Sequence, residues 1–198
     1  MPGWQTALGS PQELIALILL LVFLMTERAA RQGDEARATT PGQHDAGSSL
    51  AIAYGLSIAA VGFAPFFNAR GVARMALPDW VAWFGVALMA CGIALRLWAN
   101  RVLGAYYTRT LRIQSGQSVV RVGPYRLIRH PGYAGALLMW LGATFAMRNW
   151  ITVAVVGVSV ISVYLYRISA EERMLATALG SDYQTYMADT KRVIPWVW

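Results

Sequence analysis

The sequence predicts an all-α membrane protein, a polytopic helical bundle of about five transmembrane helices, on three observations. Of its 198 residues, 57% are hydrophobic and 14% charged, where soluble domains are about half apolar and a quarter charged. The apolar residues gather into five runs separated by polar or basic segments, the longer ones near the roughly 20 residues a helix needs to cross a bilayer. No strand-borne GxGxxG motif is present, and the runs leave no length for a doubly wound sheet.

The first run, residues 14–25, is almost wholly aliphatic and reaches spanning length with flanks from Trp4 onward. It follows Glu13 rather than a basic segment, and no small-residue cleavage site comes after it, so it is expected to remain as a span. From Glu27 to Ser49 the chain turns polar, with Gly33, Pro41, Gly42 and Gly47 among mixed charges, the composition of an exposed loop. Residues 48–67 form the second span, with Pro65 near its end, where a lost hydrogen bond is tolerated.

A short connection carrying Arg70 and Arg74 follows, and Asp79 is placed to cap the next helix. That third span, residues 80–98, has Trp80, Trp83 and Trp98 where amphipathic rings settle at membrane interfaces. Arg96 can snorkel to the head groups from its end. The single cysteine, Cys91, lies within this run, cannot form an internal disulfide and reads as a small buried hydrophobe.

Between residues 99 and 129 the chain carries Arg101, Arg109, Arg112, Arg121, Arg126 and Arg129 and no acid. The positive-inside rule places this loop in the cytoplasm. Residues 134–147 and 150–166 are then the arms of a helical hairpin turned by Arg148 and Asn149. The C-terminus returns to the cytoplasm, the N-terminus lies outside, and Arg70 and Arg74 fall on the outer side. After Arg167 the composition becomes amphipathic, as for a helix broken near Gly180 and lying against the membrane. Val193, Ile194, Pro195 and Trp196 make an apolar anchor. The whole is organised as a single membrane domain, 1–198, with three spans in 1–98 and the remaining elements in 99–198. The net charge of +7 sits in loops beside apolar runs, so anionic lipid head groups rather than nucleic acid are the expected counter-charge.

Chemistry concentrates in residues 123–133, GPYRLIRHPGY. Pro131 disfavours helical dihedrals at His130 and suits the first turn of the helix that follows, so a shaped loop enters a helix whose free N–H groups face it and attract anionic groups. A second cluster lies at Arg167 and Glu171, four apart and therefore on one helix face, with Glu172 about a quarter turn away. Plainer readings stand beside these. His130, Tyr125 and Tyr133 suit an interface, and Arg126 and Arg129 suit lipid-facing positions. Gly132 and Gly135 suit close helix packing, and Arg167 with Glu171 an ordinary i,i+4 ion pair.

The stretch GPYRLIRHPGY resembles the motif of the isoprenylcysteine carboxyl methyltransferase family of integral membrane enzymes. Glu171-Glu172, Leu179-Gly180, Tyr183, Tyr186 and Ile194-Pro195 match its C-terminal block, so the resemblance covers the chain from about Leu95 onward. It implies a cytoplasmic cofactor pocket formed by the loop before the fourth helix and the C-terminal helix, holding S-adenosylmethionine. The family's cofactor contacts fall on Gln117, Ser118, Val119, Val120, Tyr125, His130, Pro131, Gly132, Tyr133 and Glu171. Arg167 matches the residue that meets the substrate carboxylate and is the catalytic candidate. No metal is implied.

In-line methyl transfer to a carboxylate needs alignment and exclusion of water more than proton transfer, because the nucleophile is already ionised at neutral pH. The absence of a triad or metal cluster is thus no obstacle. The expected partners are a lipophilic or lipidated acceptor and membrane lipids. Carboxyl O-methylation of an isoprenylcysteine-like group is the leading expectation, with a thiol or phospholipid amine as other acceptors. An NADPH-dependent reductase of the sterol reductase type and a non-enzymatic scaffold are the alternatives.

Overall fold

The computed structural model of the chain describes residues 10–37, 48–106 and 118–195. Six α-helices are present among the described residues: α1 (Pro11–Arg37), α2 (Ser48–Ala69), α3 (Asp79–Leu103), α4 (Pro131–Met147), α5 (Trp150–Leu179) and α6 (Ser181–Asp189). Among the described residues there is no strand, only two isolated bridges, Arg74 with Asn149 and Ile128 with Lys191. The protein is an all-helical membrane bundle. By length and composition α2, α3 and α5 can cross a bilayer; the two other expected spans correspond to α4, of 17 residues, and to α1.

α1 opens on a capping box, in which Ser10 N donates to Glu13 Oε2 at 2.7 Å and Glu13 N to Ser10 Oγ at 3.4 Å. It does not stop where the apolar run stops. The polar stretch from Glu27, expected to be loop, stays helical to Arg37. Glutamate, alanine, arginine and glutamine are good helix formers, and Glu27 has a tertiary partner: its Oε1 accepts from Arg96 Nε at 2.5 Å. Both residues are buried, so Arg96 points into the bundle and does not snorkel.

The most extensive helix contact is between α3 and α4. Gly85 and Gly92 lie two turns apart on α3, as do Gly135 and Gly142 on α4, and the helices cross antiparallel with their backbones in contact. A methyl group on Gly92 would sit 2.5 Å from Gly135 O, and one on Gly85 2.4 Å from Ala146 N. Small residues let membrane helices approach this closely, and van der Waals packing then holds them, since apolar side chains gain little by leaving lipid. Gly135 thus has the packing role; a methyl on Gly132 would meet only Arg96 Nη1 and Asn100 Oδ1 at 3.7 Å. Cys91, next to Gly92, faces outward and is exposed rather than buried.

α2 packs on α5 through hydroxyl rungs: Tyr54 Oη with Tyr164 Oη at 2.6 Å, Ser57 Oγ with Ser159 Oγ at 3.0 Å, and Thr152 Oγ1 donating to Ala60 O at 3.2 Å. Phe23, Tyr54 and Trp140 tie α1, α2 and α4 together with ring centroids 5.4–6.1 Å apart. The exposed large apolar side chains, Trp80, Trp83 and Trp98 among them, form the outward face that lipid would cover.

Arg148 and Asn149 make the α4–α5 turn as expected. Arg148 adopts left-handed dihedrals (φ 47°), and Asn149 caps α5 by accepting from Ile151 N at 3.0 Å. Asp79 does not cap α3, where Pro78 takes that position. Its carboxylate instead accepts from Arg148 Nη1 at 2.6 Å. Asn68 donates to Glu13 Oε1 and to Met147 O, both at 2.7 Å, and accepts from Asn149 at 2.9 Å. This end of the bundle is therefore clasped shut by buried amides.

Candidate functional site

The opposite end, where α3 finishes and α4 begins, is built around the motif loop. Gly123 takes φ +57°, which glycine adopts without strain, and starts the 3-10 turn Gly123–Arg126. His130 lies outside the helical region (φ −124°, ψ 58°), and Pro131 opens α4, as the proline rule requires. The backbone before it is tied to the C-terminal segment, with Arg129 N donating to Lys191 O at 2.7 Å and His130 N to Arg192 O at 2.9 Å.

α5 runs without interruption from the bundle to Leu179, and Gly180 (φ +56°) breaks it where expected. α6 then folds back on the motif loop, rather than lying on the membrane with its apolar face. Tyr183 and Tyr186 are buried, and Tyr186 Oη donates to Tyr125 O at 2.7 Å. Burial pushes the Tyr186 phenol up to about 12. Val193, expected as part of a membrane anchor, packs with Ile128, Ala134 and Ile168; Trp196 lies outside the described residues.

Glu172 is the hub of this junction. Its Oε1 accepts from Arg129 Nε at 2.8 Å, its Oε2 from Arg192 Nε at 2.9 Å, and His130 Nε2 lies 3.4 Å from Oε1. Arg129 Nη1 also donates to Met187 O at 3.0 Å and to Thr190 O. Arg129, expected to face lipid, is therefore buried in protein, because a guanidinium out of water needs a carboxylate and carbonyls around it. Arg126 is exposed.

Between the loop, α3, α5 and α6 lies a cavity enclosing about 1070 Å³ of space, open solvent at its mouth included. Ser118, Val119 and Val120 line it before the turn; Tyr125, His130, Gly132 and Tyr133 line it from the motif; Arg167 and Glu171 line it from α5. One expected contact does not join them. Pro131 is fully buried as the first residue of α4 and is not on the cavity wall, its ring serving the helix start. Gln117 lies outside the described residues.

Arg167 and Glu171 share more than a helix face. Arg167 Nε donates to Tyr133 Oη at 3.4 Å, and Tyr133 Oη donates to Glu171 Oε2 at 3.0 Å. The motif tyrosine thus stands between the guanidinium and the carboxylate and orients both. Tyr133 itself packs edge-on against Tyr164, ring centroids 5.0 Å apart. Sequence reasoning missed the inner wall, where Leu50 and Tyr54 of α2, Arg96 and Asn100 of α3, and Tyr164 contribute. Asn100 and Tyr183 line the cavity, and Asn100 Oδ1 and Tyr183 Oη are buried atoms without a hydrogen-bond partner among the described residues.

A model of the isoprenylcysteine carboxyl methyltransferase (ICMT) family matches residues 85–177, from the middle of α3 to near the end of α5. Over those residues, a little under half of its length, the chain is similar to that family. Protein-S-isoprenylcysteine O-methyltransferase A of Arabidopsis thaliana is 29% identical over 120 residues, 60% of this chain and 61% of that protein. YpbQ of Bacillus subtilis strain 168 is 29% identical over 94 residues, 47% of this chain and 56% of that protein. The chain thus spans about three-fifths of the length of the curated plant methyltransferase it matches. The solved structure of a eukaryotic intramembrane Ras methyltransferase, ICMT, superposes with a TM-score of 0.67 at 19% identity, covering 98% of this chain and 71% of that one. The likeness in fold therefore extends to α1 and α2, beyond the segment that the ICMT family model matches.

Proposed function

We propose that the protein is an S-adenosylmethionine-dependent methyltransferase that carboxyl-methylates a lipophilic, isoprenylcysteine-like acceptor. The observation that carries this reading is the convergence of the motif loop and the Arg167–Glu171 helix end on one cavity. The residues present suit such a cofactor. Glu171 offers a carboxylate for an ammonium or a ribose diol, Tyr125 and Tyr183 offer aromatic surface, and Asn100 Oδ1 and Tyr183 Oη are buried polar atoms still to be matched. The similarity of residues 85–177 to the ICMT family supports the same chemistry.

When bound, S-adenosylmethionine supplies a methyl group activated by its sulfonium. The chain's own residues bind and align. Glu171, oriented by the Tyr133 hydroxyl, holds the donor's polar end, and Arg167, buried and braced by the same hydroxyl, holds an anionic acceptor group. Leu50, Tyr54 and Tyr164 exclude water from the inner wall. The basic segment around Arg121 and Arg126 supports a cytoplasmic position for this cavity by the positive-inside rule, with the polar cofactor entering from water and the acceptor from lipid.

Equilibrium binding to detergent-purified protein tests the reading. S-adenosylhomocysteine should bind and NADPH should not; the reverse result would assign the cavity to a reductase. With a prenylcysteine analogue and labelled donor, Arg167→Ala should leave S-adenosylhomocysteine affinity within about 3-fold while turnover falls at least roughly 100-fold, the loss expected when a charge-assisted contact to the acceptor goes.

A further inference from the structure

One hydroxyl on the cavity wall is left without a partner by the residues described. Tyr183, on the nine-residue α6, is 3% exposed, and its Oη meets no hydrogen-bond partner among them. The neighbouring tyrosine on the same helix differs: Tyr186 packs tilted against it, ring centroids 5.9 Å apart, but its hydroxyl is satisfied by Tyr125 O. Leaving a buried hydroxyl unmatched is destabilising, and a phenylalanine would fill the same volume without that cost. Burial, reinforced by the Glu171 and Glu172 carboxylates, pushes the Tyr183 phenol well above the ordinary tyrosine range. The group therefore keeps its proton and can donate. The nearby carboxylates are already engaged, Glu171 by Tyr133 and Glu172 by Arg129 and Arg192.

We infer that Tyr183 Oη is a ligand-binding contact of the cavity, donating to an acceptor atom that lies beside the group held by Glu171. The inference rests on the cofactor reading above and adds a residue to it. The ligand must present a donor for the carboxylate and, next to it, an acceptor for the phenol. S-adenosylmethionine offers that pairing twice, in the ammonium and carboxylate of its amino-acid end and in its ribose diol.

The test is Tyr183→Phe in the full chain, purified in detergent, with three measurements: affinity for S-adenosylhomocysteine, affinity for 5′-methylthioadenosine, which lacks the amino-acid end, and thermal unfolding without ligand. S-adenosylhomocysteine affinity should fall about 10-fold, the worth of one buried hydrogen bond. The ligand-free unfolding temperature should stay level or rise, because an unmatched hydroxyl is removed. A loss confined to S-adenosylhomocysteine assigns the contact to the amino-acid carboxylate, and an equal loss for both compounds assigns it to the ribose; either supports the inference. Unchanged affinities in a variant whose parent binds would overturn it. So would a ligand-free unfolding temperature several degrees lower, since that shows the hydroxyl bonded within the protein. A parent that binds neither compound refutes the cofactor reading itself, and this contact with it.

Discussion

Where α3 crosses α4, glycines bring backbone against backbone; where the motif loop meets α5 and the C-terminal segment, Arg129, His130 and Arg192 converge on one buried carboxylate. Both regions are dense, and both flank the cavity. The first excludes any added atom, so it behaves as a fixed hinge plate against which α4 begins. The second is held by charge removed from water, where loss of a single partner leaves the others uncompensated. The pairing suits a site that needs a rigid floor from the bundle and a wall assembled from three chain segments far apart in sequence.

The seam gives the largest expected effect. A side chain at Gly135 would begin 2.6 Å from Gly92 O and 2.7 Å from Arg96 N, and forcing extra volume into a packed core costs about 1–3 kcal/mol or more. With backbone on both sides, Gly135→Leu should exceed that range and abolish monodisperse protein in detergent. Gly157→Leu, where a Cβ meets nothing within 4 Å, should behave like the parent. Equal yields of the two would mean that the helices can move apart.

Next comes the charged junction. Glu172→Gln should lower stability by about 3–5 kcal/mol, the cost of breaking a buried ion pair from one side, read as a drop in unfolding temperature. A variant as stable as the parent would show that the cations find other partners. Glu171→Ala sharpens the contrast between the two neighbouring acids. It should reduce S-adenosylhomocysteine affinity by roughly 100-fold, through loss of a charge-assisted contact, yet leave ligand-free unfolding nearly unaltered. Parent-like affinity would remove Glu171 from the site. Arg126→Ala, on an exposed side chain of the same loop, should shift stability by no more than about 0.5 kcal/mol.

Some of this architecture was legible because its causes are local. The α4 start at Pro131, the turn at Arg148 and Asn149, and the break at Gly180 each follow from dihedral preferences of a few adjacent residues. The shared face of Arg167 and Glu171 follows from helix pitch alone. Errors fell where a membrane chain carries no orienting signal. In a soluble helix the polar face marks the outside, but here bundle interior and lipid are both apolar. Cys91, exposed beside buried Gly92, could not be told from its neighbour. Likewise Arg96 and Arg129 read as membrane-surface cations, since their carboxylate partners, Glu27 and Glu172, lie 69 and 43 residues away.

The sequence by itself determined that the chain is helical, that it belongs in a membrane, where its main turns fall, and which two short segments make up the candidate site. Composition and short-range stereochemistry suffice for that. Only the tertiary structure decided that those segments line one cavity, that Tyr133 stands between Arg167 and Glu171, that Glu172 gathers two guanidiniums and the His130 imidazole, and that Tyr183 of the cavity wall buries an unmatched hydroxyl. Such facts depend on which distant groups meet, and pairing among buried polar groups is settled by packing in three dimensions, where each must find its partner or go without.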